Sequence, residues 1–444
     1  MTKATLIYNA RLLDETMDCP GAVLVEDGKI RAVFQGYFTS PETASTLAHS
    51  VLAEDGCEMN SKLDLYDARG LTITPAFIDM HVHLRYPGLT QKEDLNSGLH
   101  AAAAGGFGTI VAMPNTKPVV SSMMMAMGIE KEAEQIGLTH LFQTVSITKD
   151  FADEDISHLN DLNKTYIPVI SEDGKDVLKA DVMLSAMKVA GEKDIIVACH
   201  CEDESLGKAA KPLRAEGTFE SITKANEYLA LAEDSATIRN LMLAKEAHCR
   251  IHVCHVSTAN SIDAIRAAKE EFYSPLMVTC EATPHHIGLS GTDEENIHNI
   301  VNPPLRSEED RMYLIEALRD GTVDVISTDH APHTEEDKKN GSPGFTGLEV
   351  SYAVCNTVLV KDNHFNPRRL SQLMSAAPAK ILGLQKGLLR NGYDADLTLI
   401  DPDEEWIVDS SMFCSKGKFT PFNGKTLTGK VHALFIDGRK VYER

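Results

Sequence analysis

Residues 76–88 read AFIDMHVHLRYPG and are the most informative segment of this chain. Its apolar first part predicts a buried β-strand that ends at the two histidines. Side chains alternate along a strand, so His81 and His83 are expected on the same face. Two imidazoles at one strand end can bind one metal ion, and neutral imidazole suits zinc. For this motif alone, the alternative is a pair of histidines hydrogen-bonded in a polar strand end.

Downstream of this stretch, short β-branched runs alternate with longer segments of helical period. Eight such units predict parallel strands with right-handed crossovers, and hence an α/β fold with a closed (β/α)8 barrel of the TIM type. The predicted strands are Phe77–His83, Gly108–Met113, Leu141–Ile147, Tyr166–Ile170, Ile195–His200, Ile251–His255, Leu276–Glu281 and Val323–Thr328. The predicted helices are Leu95–Ala104, Met123–Gln135, Val182–Ala190, Leu229–Ala247, Ile262–Glu271 and Glu308–Leu318.

The two ends of the chain have a different pattern, of short alternating segments broken by turns, over residues 4–70 and 387–443. Each end alone is too small to bury much core. We therefore predict that they join in one small β-sandwich packed against the barrel. The predicted domains are residues 1–70 and 381–444 for the sandwich and 71–380 for the barrel. Residues Ser40–Asn60 are predicted to be a loop or an insertion.

The charge balance of the chain narrows the classes of partner. Lys and Arg number 43 against 65 Asp and Glu, which gives a formal net charge of −22. Such a field repels phosphate groups, so nucleic acid and anionic membrane surfaces are not expected as partners. An anionic substrate would then need a local cation, and Arg85 or a bound metal are the candidates.

The rest of the composition is typical of a globular protein with a large core, since 43% of the 444 residues are hydrophobic and 24% are charged. No apolar run of about 18 residues predicts a membrane span. The N-terminus lacks the apolar segment of a signal peptide. The nine cysteines are an odd number scattered along the chain, as in a reduced cytoplasmic protein. The expected location is therefore cytoplasmic.

Polar residues recur where the predicted strands end. The carboxyl ends of barrel strands form the face where barrel enzymes keep their active sites. Four histidines with one or two carboxylates at one such face predict a zinc site. The residues that share this position are His81, His83, Asn115, Asp173, His200, His255, Asn302, Asp329 and His333.

Two carboxylates in this set have separate expected roles. Asp173 could hold two ions with its two oxygens. Asp329 is the expected general base, which accepts a proton from the attacking water and returns it to a leaving nitrogen.

Other candidate metal ligands are expected to have structural roles instead. Cys199 and Cys201 flank His200 in the sequence, so strand alternation turns both thiols away from its face. His285 and His286 are adjacent, and at most one of them can face the site. His330 is expected to be structural or to support a ligand, and His252 to pack in the core.

Six motifs in this order resemble the dihydroorotases of the amidohydrolase superfamily, in their class I (bacterial, long-chain) form. The resemblance covers residues 75 to about 350 by motif, and nearly the whole chain when the flanks are included. The motifs are His81-Val-His-Leu-Arg-x-Pro-Gly88, Met113-Pro-Asn-Thr-x-Pro118, Val253-Cys-His-Val-Ser-Thr258, Thr283-Pro-His-His286, Asn302-Pro-Pro-Leu-Arg306 and Thr328-Asp-His-Ala-Pro-His333.

The resemblance implies reversible hydrolysis of L-dihydroorotate to N-carbamoyl-L-aspartate in pyrimidine synthesis, with Asp329 as the catalytic acid and base. It implies one or two zinc ions per subunit, with two favoured, and a small-molecule substrate. It further implies a homodimer and a possible association with aspartate carbamoyltransferase. The implied zinc ligands are His81, His83, Asp173, His200 and His255. The implied substrate contacts are His83, Arg85, Asn115, Asn302, His333, Pro343 and Gly344.

Two positions depart from the family pattern. Tyr86 stands where the family usually has Glu, and Glu172 stands where it usually has the first Asp of Asp-Asp-Gly. Asp173 matches the ligand and is kept. Hydantoinases carry a carbamylated lysine at the end of strand 4, and residues 166–173 contain no lysine. The absence of this lysine argues against a hydantoinase. Two alternatives to a dihydroorotase are still kept, namely a hydantoin or allantoin hydrolase, and a non-catalytic homologue that acts as a scaffold.

Overall fold

The computed structural model describes residues 3–54, 62–272 and 274–444. The strands of this part of the chain are β1 (Lys3–Leu13), β2 (Asp18–Glu26), β3 (Lys29–Gln35), β4 (Lys62–Asp67), β5 (Thr72–Pro75), β6 (Phe77–Val82), β7 (Phe107–Ala112), β8 (His140–Gln143), β9 (Val145–Ser146), β10 (Val169–Ser171), β11 (Ile196–Cys199), β12 (Ile251–Val253), β13 (Val278–Ala282), β14 (Val325–Ile326), β15 (Leu397–Ile407), β16 (Thr426–Ile436) and β17 (Arg439–Glu443).

The α-helices that the structure describes are α1 (Pro41–Glu54), α2 (Leu95–Ala104), α3 (Met123–Ile136), α4 (Ala180–Glu192), α5 (Glu204–Glu216), α6 (Phe219–Ala247), α7 (Ala259–Glu271), α8 (Pro284–Gly288), α9 (Glu308–Asp320), α10 (Glu335–Lys339), α11 (Ser351–Cys355), α12 (Pro367–Ser371) and α13 (Ala377–Leu382). Short 3-10 turns and two π-helical segments, Asn356–Asp362 and Gln372–Ala376, complete the helical structure.

The central strands are parallel and form two runs, β6-β7-β8 and β9 through β14. Within each run, every strand pairs with the next one along the chain. Thr144 alone separates β8 from β9, so one short chain segment contributes to both runs. A parallel bridge joins Val82 to His330, and the His83 amide donates to the His330 carbonyl at 2.8 Å. The chain just after the last parallel strand therefore lies beside the end of the first.

These strands are buried on both faces, as parallel strands covered by helices usually are. Every residue of β6 and of β7 is buried. Local signals set the covering helices: the Asp94 side chain caps the start of α2, and the Ser122 side chain caps α3. Gly137 ends α3 in the left-handed region at φ 71°, where glycine carries no Cβ penalty. All eight predicted strand regions contain strands of the structure.

Strands from both chain ends lie in one mixed sheet of eight strands. Its order is β17-β16-β15-β5-β1-β2-β3, and β4 pairs with β1. The two ends meet where β5 pairs with β15, with Thr74 opposite Thr398. A buried cluster continues across this junction and includes Leu12, Leu397 and Phe435.

The prediction of a loop for Ser40–Asn60 was wrong over Pro41–Glu54, which form α1. Ala44, Ala48 and Leu52 recur every four residues, so they share one helix face. They are buried together with Leu6 and other side chains of the sheet. The remainder of the predicted loop, residues 55–60, lies outside the described residues.

The segment between β11 and β12 contains two helices, α5 and α6, whereas the sequence predicts one. The prediction placed one helix at Leu229–Ala247, whereas α6 begins at Phe219 and is preceded by α5. Pro212 lies inside α5. Because proline is unfavourable within a helix, the sequence did not predict a helix there. Among the described residues, no helix is long and apolar enough to cross a membrane.

Candidate metal centre and active site

The polar residues at the strand ends converge on one cavity of about 210 Å³. His81 lies within β6, and Asp173, His200 and His255 each come one or two residues after a parallel strand. His81 is fully buried and does not line the cavity, but it contacts Asp173, which does. Every other predicted site residue lines the cavity: His83, Arg85, Asn115, Asp173, His200, His255, Asn302, Asp329, His333, Pro343 and Gly344.

The Asp173 carboxylate lies at the centre of the four histidines. Its Oδ1 is 3.2 Å from Nε2 of His81, 3.3 Å from Nδ1 of His200 and 3.7 Å from Nε2 of His255. Its other oxygen, Oδ2, is 3.3 Å from Nε2 of His83. One carboxylate therefore faces all four imidazoles, and its two oxygens face different ones.

These spacings fit a set of metal ligands. Ligand atoms roughly 2.0–2.1 Å from a tetrahedral zinc ion lie about 3.3 Å from one another. His81 Nε2 and Asp173 Oδ1 are buried and neither makes a hydrogen bond, although buried polar atoms are nearly always satisfied. Nitrogen and oxygen atoms with free lone pairs at this spacing suit a divalent cation. The groups His81–Asp173–His255 and His81–His83–Asp329 each have the spacing to hold such an ion.

The charges around His81 and Asp173 favour a positive charge between these two side chains. Burial alone would lower the pKa of His81, but the carboxylates of Asp173 and Glu281 outweigh it and raise that pKa well above its usual value. Burial would raise the pKa of Asp173, yet the surrounding histidines hold it well below its usual range. A cation is thus stabilised among these side chains.

A second layer of contacts orients two of the histidines. The carboxylate of Glu281 contacts Nδ1 of His81 at 2.7 Å and Nε2 of His252 at 3.1 Å. Asn115 accepts at Oδ1 from Nδ1 of His83 at 3.0 Å. In both cases the Nδ1 contact leaves Nε2 facing Asp173, the arrangement that second-layer partners impose on metal-binding histidines.

Glu281 has no predicted role from the sequence, but it is completely buried in β13. The available signal in the sequence was a single carboxylate inside an otherwise uncharged strand, because buried carboxylates are rare unless they are paired.

Asp329 lies against the same histidines. Its Oδ1 is 3.0 Å from Nε2 of His83 and 3.7 Å from Nε2 of His81. Burial would raise the pKa of Asp329, but these histidines lower it to about 2. Its backbone has φ 46°, and that of Arg85 has φ 57°. Non-glycine residues seldom adopt such angles, and they cluster at functional sites.

Arg85 extends along the cavity wall towards His333. Its Nε donates to the Pro332 carbonyl at 3.3 Å, and an Nη atom lies 3.3 Å from Nε2 of His333. Burial and the nearby cations Arg85 and Lys92 lower the pKa of His333 to about 3, so its imidazole is neutral at pH 7. Arg85 keeps a guanidinium fork available for a planar anion.

The opposite wall is formed by Asn302 and by the backbone of Pro343 and Gly344. A Cβ on Gly344 would lie 2.7 Å from that of Ala331, and the residue has φ 126°, so only glycine fits here. Lys338 holds this loop through hydrogen bonds to the carbonyls of Ser342 at 2.7 Å and Gly344 at 2.9 Å. Neither Lys338 nor Arg214, which donates to Asn302, stood out in the sequence.

The other histidines and cysteines singled out in the sequence lie apart from this cluster. Cys199 and Cys201 are buried in the hydrophobic core, and His252 contacts Thr279 and Glu281. The imidazole of His330 contacts Glu93 and accepts from the Gly347 amide. Both His285 and His286 are buried, and neither lines the cavity.

Comparisons with known proteins show which chains this one is similar to. The amidohydrolase family model matches residues 72–441. The dihydroorotase of Clostridium botulinum (strain Eklund 17B / Type B) is 38% identical over 440 residues, which is 99% of each chain. The dihydroorotase of Bacillus subtilis (strain 168) is 38% identical over 383 residues, covering 85% of this chain and 88% of that protein.

Solved structures show the same fold. The L-hydantoinase (dihydropyrimidinase) from Arthrobacter aurescens superposes with a TM-score of 0.85 at 26% identity, covering 100% of this chain and 96% of that one. The dihydropyrimidinase from Brevibacillus agri NCHU1002 superposes with a TM-score of 0.81 at 22% identity, covering 100% and 95%. With a family match across most of its length and near full-length relatives, this chain belongs to the amidohydrolase family.

Proposed function

We propose that this protein is a metal-dependent dihydroorotase, which interconverts L-dihydroorotate and N-carbamoyl-L-aspartate in pyrimidine synthesis. The observation that carries the proposal is one cavity in which Asp173 faces four histidines while the Arg85 guanidinium lines the wall. Dihydroorotate presents a ring amide for hydrolysis and a carboxylate for recognition, and the cavity offers groups for both. The curated relatives named dihydroorotase support the same choice.

We infer that strands β6 to β14 form a closed (β/α)8 barrel, with β8 and β9 as one strand. Parallel pairing in chain order and the bridge from Val82 to His330 support this inference. The sheet built from both chain ends would be the small sandwich beside it. The proposed domains are residues 1–70 and 381–444 for the sandwich and 71–380 for the barrel.

We propose two zinc ions as the cofactor, held by His81, His83, Asp173, His200 and His255. The support is the two-sided arrangement of Asp173, whose Oδ1 and Oδ2 face different histidines. When bound, zinc would supply a Lewis acid that makes water nucleophilic at neutral pH.

The side chains then divide the remaining work. The Asp329 carboxylate accepts a proton from the attacking water and delivers it to the ring nitrogen as the amide bond breaks. In the reverse direction the same group takes the proton of the attacking ureido nitrogen and gives a proton to the departing oxygen. Arg85 and Asn115 bind the substrate carboxylate, and Asn302, His333 and the backbone of residues 343–344 hold the ring.

A hydantoinase is the second candidate, favoured by the superposition on the Arthrobacter aurescens L-hydantoinase. Two residues oppose it. Asp173 lies where the family resemblance implies a carbamylated lysine for hydantoinases, and Arg85 supplies a cation that a hydantoin without a carboxylate does not require. A non-catalytic scaffold is disfavoured because every expected ligand is retained.

We further propose the class I type, a cytoplasmic location, a homodimer, and association with aspartate carbamoyltransferase. The motif order supports the class. The eight described cysteines are all free thiols, which supports a reducing compartment. The dimer and the partner enzyme rest on the family resemblance alone.

A direct ultraviolet assay tests the main proposal. The zinc-loaded protein should consume L-dihydroorotate and, in the reverse direction, form it from N-carbamoyl-L-aspartate. Hydantoin and allantoin should be poor substrates. Faster turnover of hydantoin than of dihydroorotate would contradict the proposal.

A further inference from the structure

A half-buried arginine on α5, Arg214, contacts the cavity wall at a predicted substrate residue. Arg214 donates from one Nη atom to Oδ1 of Asn302 at 2.5 Å, and from the other to the carbonyl of Val301 at 3.2 Å. Burial lowers the pKa of Arg214 to about 10, so it remains a cation at neutral pH. In the described parts of the chain no carboxylate forms an ion pair with it. Its strong donors are directed at two neighbouring acceptors of a single loop.

This contact determines which atom of the Asn302 amide faces the cavity. An arginine can only donate, so the amide oxygen must face it and the amide nitrogen must point elsewhere. Asn302 lines the cavity that holds His83, Asp173 and Asp329. Its Nδ2 is therefore the atom offered to a bound substrate, as a donor to an oxygen.

Arg214 and Asn302 also line a second cavity together. This neighbouring cavity has a volume of about 460 Å³, and its lining includes Glu202, Lys211, Arg214, Asn302 and Pro343. Without the guanidinium, water would take its place beside the Asn302 amide. Water can donate to the amide oxygen or accept from the amide nitrogen, so both orientations of the amide would be satisfied and the preferred one would be lost.

We propose that Arg214 is a positioning residue for the reaction: it holds Asn302 as a hydrogen-bond donor to an oxygen of the substrate. The proposal rests on the dihydroorotase function above. Arg214 need not touch the substrate, and its effect should pass entirely through Asn302. Arg214→Met should therefore weaken substrate binding and leave the metal ligands and Asp329 in place.

The test is a double-variant cycle on the zinc-loaded enzyme, comprising Arg214→Met, Asn302→Ala and both together. Arg214→Met should raise KM for dihydroorotate by roughly 3- to 10-fold, since one hydrogen bond to a neutral ring oxygen accounts for about that factor. The kcat should change by less than about 3-fold, as expected when binding is lost equally from ground and transition states. The double variant should be no worse than Asn302→Ala, because residues that act in series are not additive.

Two further variants keep the test independent of folding. Arg214→Lys can still donate one hydrogen bond, so it should recover part of the KM change. Lys224→Met is the control, because it removes a positive charge from an exposed position on α6 that lines neither cavity, and it should leave KM unchanged. If Arg214→Met does not fold, the cycle is run with Arg214→Lys instead.

The outcomes separate this proposal from the one on which it rests. If the wild-type enzyme does not turn over dihydroorotate, the proposed function fails and this inference fails with it. If the wild type is active and Arg214→Met has the wild-type KM, this inference alone is wrong. It is also wrong if the effects of Arg214→Met and Asn302→Ala multiply in the double variant.

Discussion

Nδ1 of His81 lies 2.7 Å from Oε1 of Glu281, and both side chains are completely buried. The same carboxylate contacts Nε2 of His252 and accepts from the backbone amide of His255. Glu281 therefore ties together a predicted metal ligand, a core histidine and the chain at a second predicted ligand. Such a carboxylate fixes the tautomer and orientation of the imidazole and raises its basicity.

Glu281→Gln should weaken metal binding and preserve the fold. Loss of an outer partner of this kind typically reduces metal affinity by about 10–100-fold. Competition with a chelator would measure the zinc affinity, and thermal unfolding would check the fold. Glu134→Gln, an exposed change on α3, is the matched control. Wild-type zinc affinity in Glu281→Gln would show that this contact is structural only.

Metal loading should be independent of bicarbonate, because Asp173 itself supplies the carboxylate at the centre of the cluster. The measurement is zinc content after chelator treatment and reconstitution with and without bicarbonate. Asp173→Ala should lose zinc and activity together. Reconstitution that requires bicarbonate would overturn the assignment of Asp173.

Arg85→Met should abolish dihydroorotate turnover and leave zinc content near normal, since Arg85 lines the cavity but is not a ligand. Arg85→Lys should also be poor, because a lysine cannot form the two parallel hydrogen bonds of a guanidinium. Steady-state kinetics with dihydroorotate and with a hydantoin lacking a carboxylate would measure the preference. A variant that still prefers dihydroorotate would exclude Arg85 as the discriminating contact.

Asp329→Asn keeps the shape of the side chain but removes its proton-accepting group. Loss of a general base typically costs about 10²–10⁴-fold in rate. Both directions should slow, because they share this group, while bound zinc remains. In the wild type, rising pH should favour hydrolysis and slow ring closure, since hydrolysis releases a proton and closure takes one up. If the variant kept most of its rate in both directions, the base would have to be sought at His330 or His333.

Acid stability should depend on the buried pair formed by Glu233 of α6 and Arg306. The guanidinium donates to the carboxylate at 2.9 Å, and Ser257 also donates to it. Burial would raise the pKa of Glu233, but Arg306 and these hydrogen bonds lower it to about 2 from a usual value of 4.5. A lowered folded-state pKa stabilises the fold above pH 4.5, and this contribution disappears as the pH falls towards 2.

Glu233→Gln should therefore lower the free energy of unfolding at pH 7 by about 3 kcal/mol or more, since it leaves a buried Arg306 without its counter-charge. The difference from wild type should shrink between pH 4.5 and 2. Urea unfolding at pH 7 and pH 3 would measure it. An equal difference at both pH values would contradict the linkage.

Features that depend on local geometry could be predicted from the sequence. Alternation in a strand placed His81 and His83 on one face, and the strand-helix periodicity located all eight strand regions. Asp173, His200 and His255 each follow a predicted parallel strand. Because the carboxyl ends of parallel strands meet at one end of the sheet, this was enough to predict that the three side chains lie together. These inferences succeed because each needs only the period of an element and the place where it ends.

Tertiary structure alone decided the contacts between residues distant in sequence. Glu281 is 200 residues from His81, and Arg214 is 88 residues from Asn302. Nothing in the local period of β13 or α5 indicates which side chain from another segment will face them. The helix α1 was missed for the same reason, since its small alanines become a packing surface only when the sheet lies beneath them. The predicted ligands follow from the positions of the strand ends, but the residues that contact them depend on which segments the folded chain brings together.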